Sequence, residues 1–230
     1  MKKYYKVLNK CVLFRDIKKN ELGCLMSCLG AKVREYKSGQ YIFLAGDKLN
    51  YIEVALSGLA EVIKENLAGN KHIIAMLQPS DLFAEGIVCT ESRISPVTVR
   101  AKQDMEVLLI PYEKIVRTCG RSCTYHIRLI QNMMVVLGEK NSRLNEKIEL
   151  LTLKGMREKI ASYLVNEMND RKKNSFEIML NRTQLAEYLN VSRTSMSREL
   201  SRMKEDGLID YSGKKFKILD EDRLMESIGA

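Results

Sequence analysis

The sequence predicts an α+β chain: many short antiparallel strands, then one long helix, then a helix-turn-helix with a small β-wing. Three observations carry this. From about residue 30 to 112, apolar and polar residues alternate in short runs split by turn residues. After Pro111 the apolar repeat lengthens to seven residues. From 181 onward, two short helical segments separated by Asn190-Val191 lead into two β-runs joined by Ser212-Gly213.

The opening 30 residues read as helical and polar-flanked, packing beside the strands. Then come KVREY, Ser38-Gly39, YIFLA, Gly46-Asp47, YIEVAL, Ser57-Gly58 and LAEVI, the pattern of a barrel or sandwich. Asn66–Asn70 reads as a hairpin tip and Pro79-Ser80-Asp81 as a turn, with MEVLLIP as a last strand ending at Pro111. Cys123, Ile127, Ile130, Met134, Leu137, Asn141, Leu144, Ile148 and Leu151 then follow at alternating spacings of four and three. That is a heptad seam, which suits a partner helix better than the broader 3.6-residue face of a helix lying on a core. A parallel homodimer is therefore expected, with Ile127, Ile130, Met134, Leu137, Asn141 and Leu144 at its interface.

A break is expected at Leu151–Gly155, followed by an amphipathic helix over 156–168, a polar loop at 171–175 and a short strand at FEIML. Asn181 with Gln184 three residues on forms a capping box for a helix running to about Leu189. Ser192 caps a second helix that Gly207 ends. LIDY and KFKIL make a two-stranded wing. On the second helix Met196, Leu200 and Met203 share one face, while Thr194, Ser197, Arg198 and Ser201 share the other, with Arg193 at the start. Arginine forks match guanine O6 and N7, and short hydroxyls reach phosphates or base edges. Residues 154–217 hold 14 Lys+Arg against 9 Asp+Glu, a basic excess suited to DNA.

Composition bounds the alternatives. At 230 residues, 45% apolar and 29% charged, the chain is globular and long enough for two domains. Its net charge of +9 favours a polyanion, either nucleic acid or an anionic membrane surface. No apolar run nears the roughly 18 residues of a membrane span, and Lys6, Asn9, Lys10 and Arg15 interrupt any signal-peptide core. A cytoplasmic protein with reduced thiols is expected. Its cysteines, at 11, 24, 28, 89, 119 and 123, form no Cys-x2-Cys pair, so core packing is expected ahead of metal or redox sensing. His72 and His126 make no metal motif, and neither a GxxxxGK[ST] loop nor a GxSxG elbow occurs, so no enzyme is expected.

The segment RTQLAEYLNVSRTSMSRELSRMKEDGLIDYSGKKFKI resembles the winged helix of the Crp/Fnr family of bacterial transcription regulators. YKSGQYIFLAGDKLNYIEVALSGLAEV is similar to that family's effector-domain opening, with Gly39, Gly46-Asp47 and Gly58 at its turns, and the heptad helix falls where the family dimerises. The resemblance implies a β-roll or jelly-roll effector domain over 1–112, a dimerisation helix over 113–151 and a winged helix-turn-helix over 152–230. It implies double-stranded DNA, a second copy of the chain, RNA polymerase and a small effector as partners. Arg193 and Arg198 take base- and phosphate-contacting positions, Arg182, Ser192 and Ser197 lie against the backbone, and Lys214 sits in the wing. Thr194 stands where many members carry Glu, so the operator should differ, because threonine brings no charge to cytosine N4. The alternative function is a small-molecule signalling module whose helix-turn-helix serves protein contacts.

Cyclic-AMP-binding members hold a Gly-Glu pair and then an Arg-Ser pair around the ligand phosphate. Here the stretch is LFAEGIVCTESRISPVTVRA: Ala84 precedes Glu85, and Ser95-Pro96 occupies the Arg-Ser place, with Arg93 two residues earlier. The resemblance makes Glu85, Arg93, Ser95 and Thr98 the effector-site candidates. Pro96 removes an N–H donor that a cyclic phosphate would use, which speaks against cyclic AMP. Cys11, Cys24 and Cys28 lack the spacing of the iron–sulfur members, and neither histidine fits a haem ligand, so the cofactor is left unknown.

Overall fold

The computed structural model describes residues 2–66, 69–117 and 124–229. Cys119, Cys123 and part of the expected hairpin tip lie outside them. Packing divides the chain into two compact units, Met1–Glu139 and Lys140–Ala230.

The first unit opens with α1 (Tyr5–Leu8) and α2 (Lys19–Leu29), as the sequence predicts. Glu21 caps α2 by accepting from Lys18 N at 2.8 Å, and Gly30 ends it in the left-handed region. Eight strands follow: β1 (Lys32–Tyr36), β2 (Tyr41–Phe43), β3 (Tyr51–Ser57), β4 (Ala60–Glu65), β5 (Lys71–Leu77), β6 (Leu82–Phe83), then α3 (Glu85–Val88), β7 (Thr98–Ala101) and β8 (Met105–Pro111). They form two four-stranded antiparallel sheets, β1-β8-β3-β6 and β2-β7-β4-β5. Alternate strands thus pass between sheets, which is the β-roll expected. Strand β3 is buried continuously from Ile52 to Leu56, so this strand is covered on both faces. Leu8, Leu13, Phe14, Leu25 and Leu29 join the strand residues in one core.

After α4 (Tyr112–Val116) comes α5 (Thr124–Thr152), the long helix of the heptad seam. Its first half also lies on the roll. Leu129, Met133 and Val136 are buried, and Asn132 Nδ2 donates to the carbonyls of Leu13 and Arg15 at 3.0 and 2.9 Å. The helix therefore has two apolar faces where the heptad alone suggested one.

The second unit follows a short break at 153–155. It comprises α6 (Met156–Arg171), β9 (Ser175–Glu177), α7 (Arg182–Leu189), α8 (Arg193–Glu205), β10 (Ile209–Ser212), β11 (Lys215–Ile218) and α9 (Glu221–Glu226). The wing has three strands rather than two. The expected FEIML strand starts one residue earlier, and Phe176 pairs with Phe216, adding β9 to the far side of β11. A separate core forms around Leu164, Leu185, Met196, Leu200 and Phe216.

Among the described cysteines, core packing holds for Cys11 alone, whose thiol burial pushes up to about 11. Cys24, Cys28 and Cys89 are exposed. Their positions on α2 and beside α3 face outward, which helical spacing alone does not decide.

Gly58 turns the chain between β3 and β4 at φ +79°, and a Cβ there would lie 2.4 Å from Asp104 O and 2.5 Å from Met105 Cβ. Gly58→Ala should therefore cost about 2–4 kcal/mol in urea denaturation, combining left-handed strain with an unrelieved clash. Gly39→Ala has positive φ but no neighbour within 4 Å of its Cβ; it should cost about 1 kcal/mol.

Candidate nucleic-acid interface and effector cassette

The helix-turn-helix is set by local chemistry at each end. Asn181 Oδ1 accepts from Gln184 N at 3.0 Å and Gln184 Oε1 accepts from Asn181 N at 2.9 Å, closing the capping box of α7. Asn190 ends α7 in the left-handed region, and Val191 N donates back to Ala186 O at 3.0 Å. Ser192 then stands at the N-cap of α8, where its hydroxyl is shared with that of Thr194 at 2.9 Å rather than with the helix backbone. Met196, Leu200 and Met203 are fully buried.

Burial of that face fixes what α8 presents outward: Arg193, Thr194, Ser197, Arg198, Ser201 and Arg202, all exposed. Glu199 of α8 and the flanking Asp206 and Asp210 are engaged by other basic groups, with Arg202 also 3.5 Å from Glu199. Arg157 of α6 donates from Nε to Glu199 at 2.6 Å and pairs through Nη2 with Asp206 at 2.7 Å. Lys204 pairs with Asp210 of the wing at 2.6 Å. Arg193 and Arg198 have no carboxylate partner among the described residues. The outer face of α8 is left with unneutralised guanidinium groups beside short hydroxyls, which is the chemistry that phosphates and base edges accept.

Two further candidates are held by the wing. The Arg182 guanidinium lies over the rings of Tyr211 and Phe216, at 4.7 and 4.9 Å, with its Nη1 buried and without a hydrogen-bond acceptor. Lys214, at the β10–β11 turn, donates to Met179 O at 2.7 Å. Arg182 thus begins α7 packed on the wing, while Arg193 and Arg198 stand clear of it. Sequence reasoning missed Arg157 and the contact of Lys147, on the second half of α5, over the Tyr188 ring of α7. Both are long-range pairings, and nothing in the spacing of 147, 157, 188 and 199 signals them.

The effector candidates go separate ways. Glu85 is buried at the start of α3, behind Ala84 in a left-handed conformation. Ser95 is buried too, its N donating to Asp47 O at 2.9 Å and its hydroxyl to Val97 O at 2.7 Å. Thr98 Oγ1 accepts from Ala45 N at 3.0 Å. Arg93, at φ +56°, pairs with Glu113 of α4 at 2.9 Å and lies 4.9 Å over the Tyr112 ring. Two hydroxyls and the cation are thus engaged by turns and by α4 in this structure.

Along α5 the seam residues divide. Ile130 and Leu137 pack against the roll core. Asn141 is exposed, as are Ile127, Met134 and Leu144, the last two at 66% and 63%. Ile148 and Leu151 continue the exposed row. No helix in the described residues is long and apolar enough to cross a membrane.

These features agree with what the chain resembles. A Crp-like helix-turn-helix domain model matches residues 158–227, and a cyclic nucleotide-binding domain model matches 33–122. Transcriptional activator protein FnrL of Cereibacter sphaeroides is 27% identical over 209 residues, covering 85% of this chain and 80% of that protein. The fumarate and nitrate reduction regulatory protein of Escherichia coli K12 is 24% identical over 224 residues, covering 95% of this chain and 86% of its own. In fold, a CooA mutant from Carboxydothermus hydrogenoformans matches with a TM-score of 0.60 at 19% identity, over 97% of this chain and 94% of its own. The two domain models in their chain order, the capped helix-turn-helix with its basic outer face, and relatives spanning nearly the whole length agree: the chain belongs to the Crp/Fnr family of DNA-binding transcription regulators.

Proposed function

We propose that the chain works as a cytoplasmic homodimer on a two-fold symmetric operator, with α8 of each copy in the major groove. The observation that carries this is the outer face of α8, where Arg193 and Arg198 lack carboxylate partners while Arg157 and Lys204 occupy the nearby acids. Arg193, Arg198, Thr194 and Ser197 reach bases or phosphates, Ser192 and Lys214 reach the backbone, and Arg182 supports α7 from the wing while contributing field to the phosphates. The roll over 1–112 senses a small effector, α5 within 113–151 dimerises, and the winged unit over 152–230 binds DNA. RNA polymerase is the further partner.

The exposed row Ile127, Met134, Leu144 and Ile148 supports the dimer, because a lone helix would leave four large apolar side chains in water. Half-sites should then lie about one helical turn apart, roughly 34–36 Å. An effector in the roll acts by favouring one orientation of the winged units, so DNA and effector affinities must change each other by the same factor.

Arg198→Ala should weaken operator binding by about 1–3 kcal/mol and flatten the dependence on salt. Fluorescence anisotropy across a salt series reads both; unchanged affinity at matched salt would remove α8 as the recognition helix. Asn141→Asp should weaken the dimer in sedimentation equilibrium, since it sets two like charges together in the seam, whereas Asn141→Leu should tighten it. If both variants dimerise like the parent, the seam lies elsewhere.

A further inference from the structure

The roll contains a pocket whose lining includes none of the effector candidates Glu85, Arg93, Ser95 and Thr98. It lies between β1, the β2–β3 connection, β3 and β8, and encloses about 510 Å³, within the range of small-molecule sites. Glu53 lines it. This carboxyl sits in the middle of β3, paired in register with Leu109 and Phe83, and is only 6% exposed. Its Oε2 has no hydrogen-bond partner. An orphaned carboxylate oxygen inside a formed cavity is costly for folding alone and is the mark of a group awaiting a ligand.

The groups facing Glu53 decide which ligand. Strand β1 presents Lys32, Arg34 and Tyr36; the connection presents Asp47 and Lys48; β3 adds Tyr51; β8 contributes the apolar Leu109. Asp47 is tied into its own turn by accepting from Leu44 N at 2.8 Å. Burial pushes the Glu53 carboxyl up to about 8, with the Arg34 cation opposing. At neutral pH it is therefore an acid offering an O–H donor, beside three cations and one anion. A ligand amine would have to ionise Glu53 and sit among those cations. An anion would instead accept from the acid and complement the cations, while Tyr36, Phe43 and Leu49 offer ring and aliphatic walls.

We propose that this pocket binds a small aromatic carboxylate, held between Arg34 and the Glu53 carboxyl. The site is independent of whether the Glu85 cassette takes an effector, and it is tested without DNA.

Benzoate titrated calorimetrically into the full chain is the probe, with benzylamine as its cationic counterpart. Benzoate should bind near neutral pH and benzylamine should not. Above about pH 8 the ionised Glu53 repels the anion, so affinity should fall up to tenfold per pH unit. Glu53→Gln should keep benzoate binding at neutral pH and lose that decline, and Arg34→Met should weaken it roughly tenfold. No benzoate binding, preference for benzylamine, or an unchanged pH profile in Glu53→Gln would each overturn the proposal. A second measurement needs no ligand. Because the folded carboxyl holds its proton more tightly than the unfolded one, stability should fall as pH rises from the ordinary carboxylate range to about 8, and Glu53→Gln should abolish that fall. A flat profile in the parent would mean Glu53 meets solvent, and would also overturn the site.

Discussion

The architecture depends on one constraint: α5 must satisfy two apolar faces at once. A helix of 29 residues is about 43 Å long and gains little stability from its backbone alone. Its first half is fixed to the roll by Leu129 and Met133, and registered by the two hydrogen bonds from Asn132 to Leu13 and Arg15. Its second half meets α7 through Lys147 over Tyr188. On the remaining face, Ile127, Met134, Leu144, Ile148 and Leu151 form an apolar row that is bare. Each end of the helix is thus committed to a different unit, and only the bare face is left for another chain.

The same economy of faces governs α8. Met196, Leu200 and Met203 determine its rotation about its own axis, and no further interaction is needed to turn Arg193, Thr194, Ser197 and Arg198 outward. What rotation cannot do is set the charge of that face. Arg157 does so from another helix, by drawing Glu199 and Asp206 toward α6. The basic character of this face is partly made by what is kept away from it.

Where structure follows from neighbours in the chain, it was legible. The Asn181–Gln184 capping box, the left-handed Asn190 and the Gly207 stop depend on a few adjacent residues, and each stands where the pattern put it. The strand character of β3 and β8 was equally local. Long-range pairing was not legible. That β9 joins β11 depends on Phe176 meeting Phe216 across 39 intervening positions, and a two-stranded wing satisfies the same pattern. Heptad spacing revealed the bare seam of α5 but not its second face, because His126, Leu129, Met133 and Val136 follow spacings of three and four as well. In the effector cassette, the residue types at 85, 93, 95 and 98 were visible; the positive φ of Arg93 and its turn toward Glu113 were not. Glu53 was hidden in plain alternation, since YIEVAL reads as a strand whichever residue sits third.

The two hydrophobic cores share no buried residue; one gathers side chains from Tyr4 to Met133 and the other from Leu150 to Leu224. Cooperativity is a property of a shared core, so the molecule has two melting units rather than one. A single unfolding free energy does not describe it. Heat or denaturant will take apart whichever half has the smaller margin while the other persists, and the quiet segment of α5 between Leu137 and Leu150 is where that cooperativity is broken. Substitutions in one core are thereby free to raise or lower its stability without altering the packing of the other.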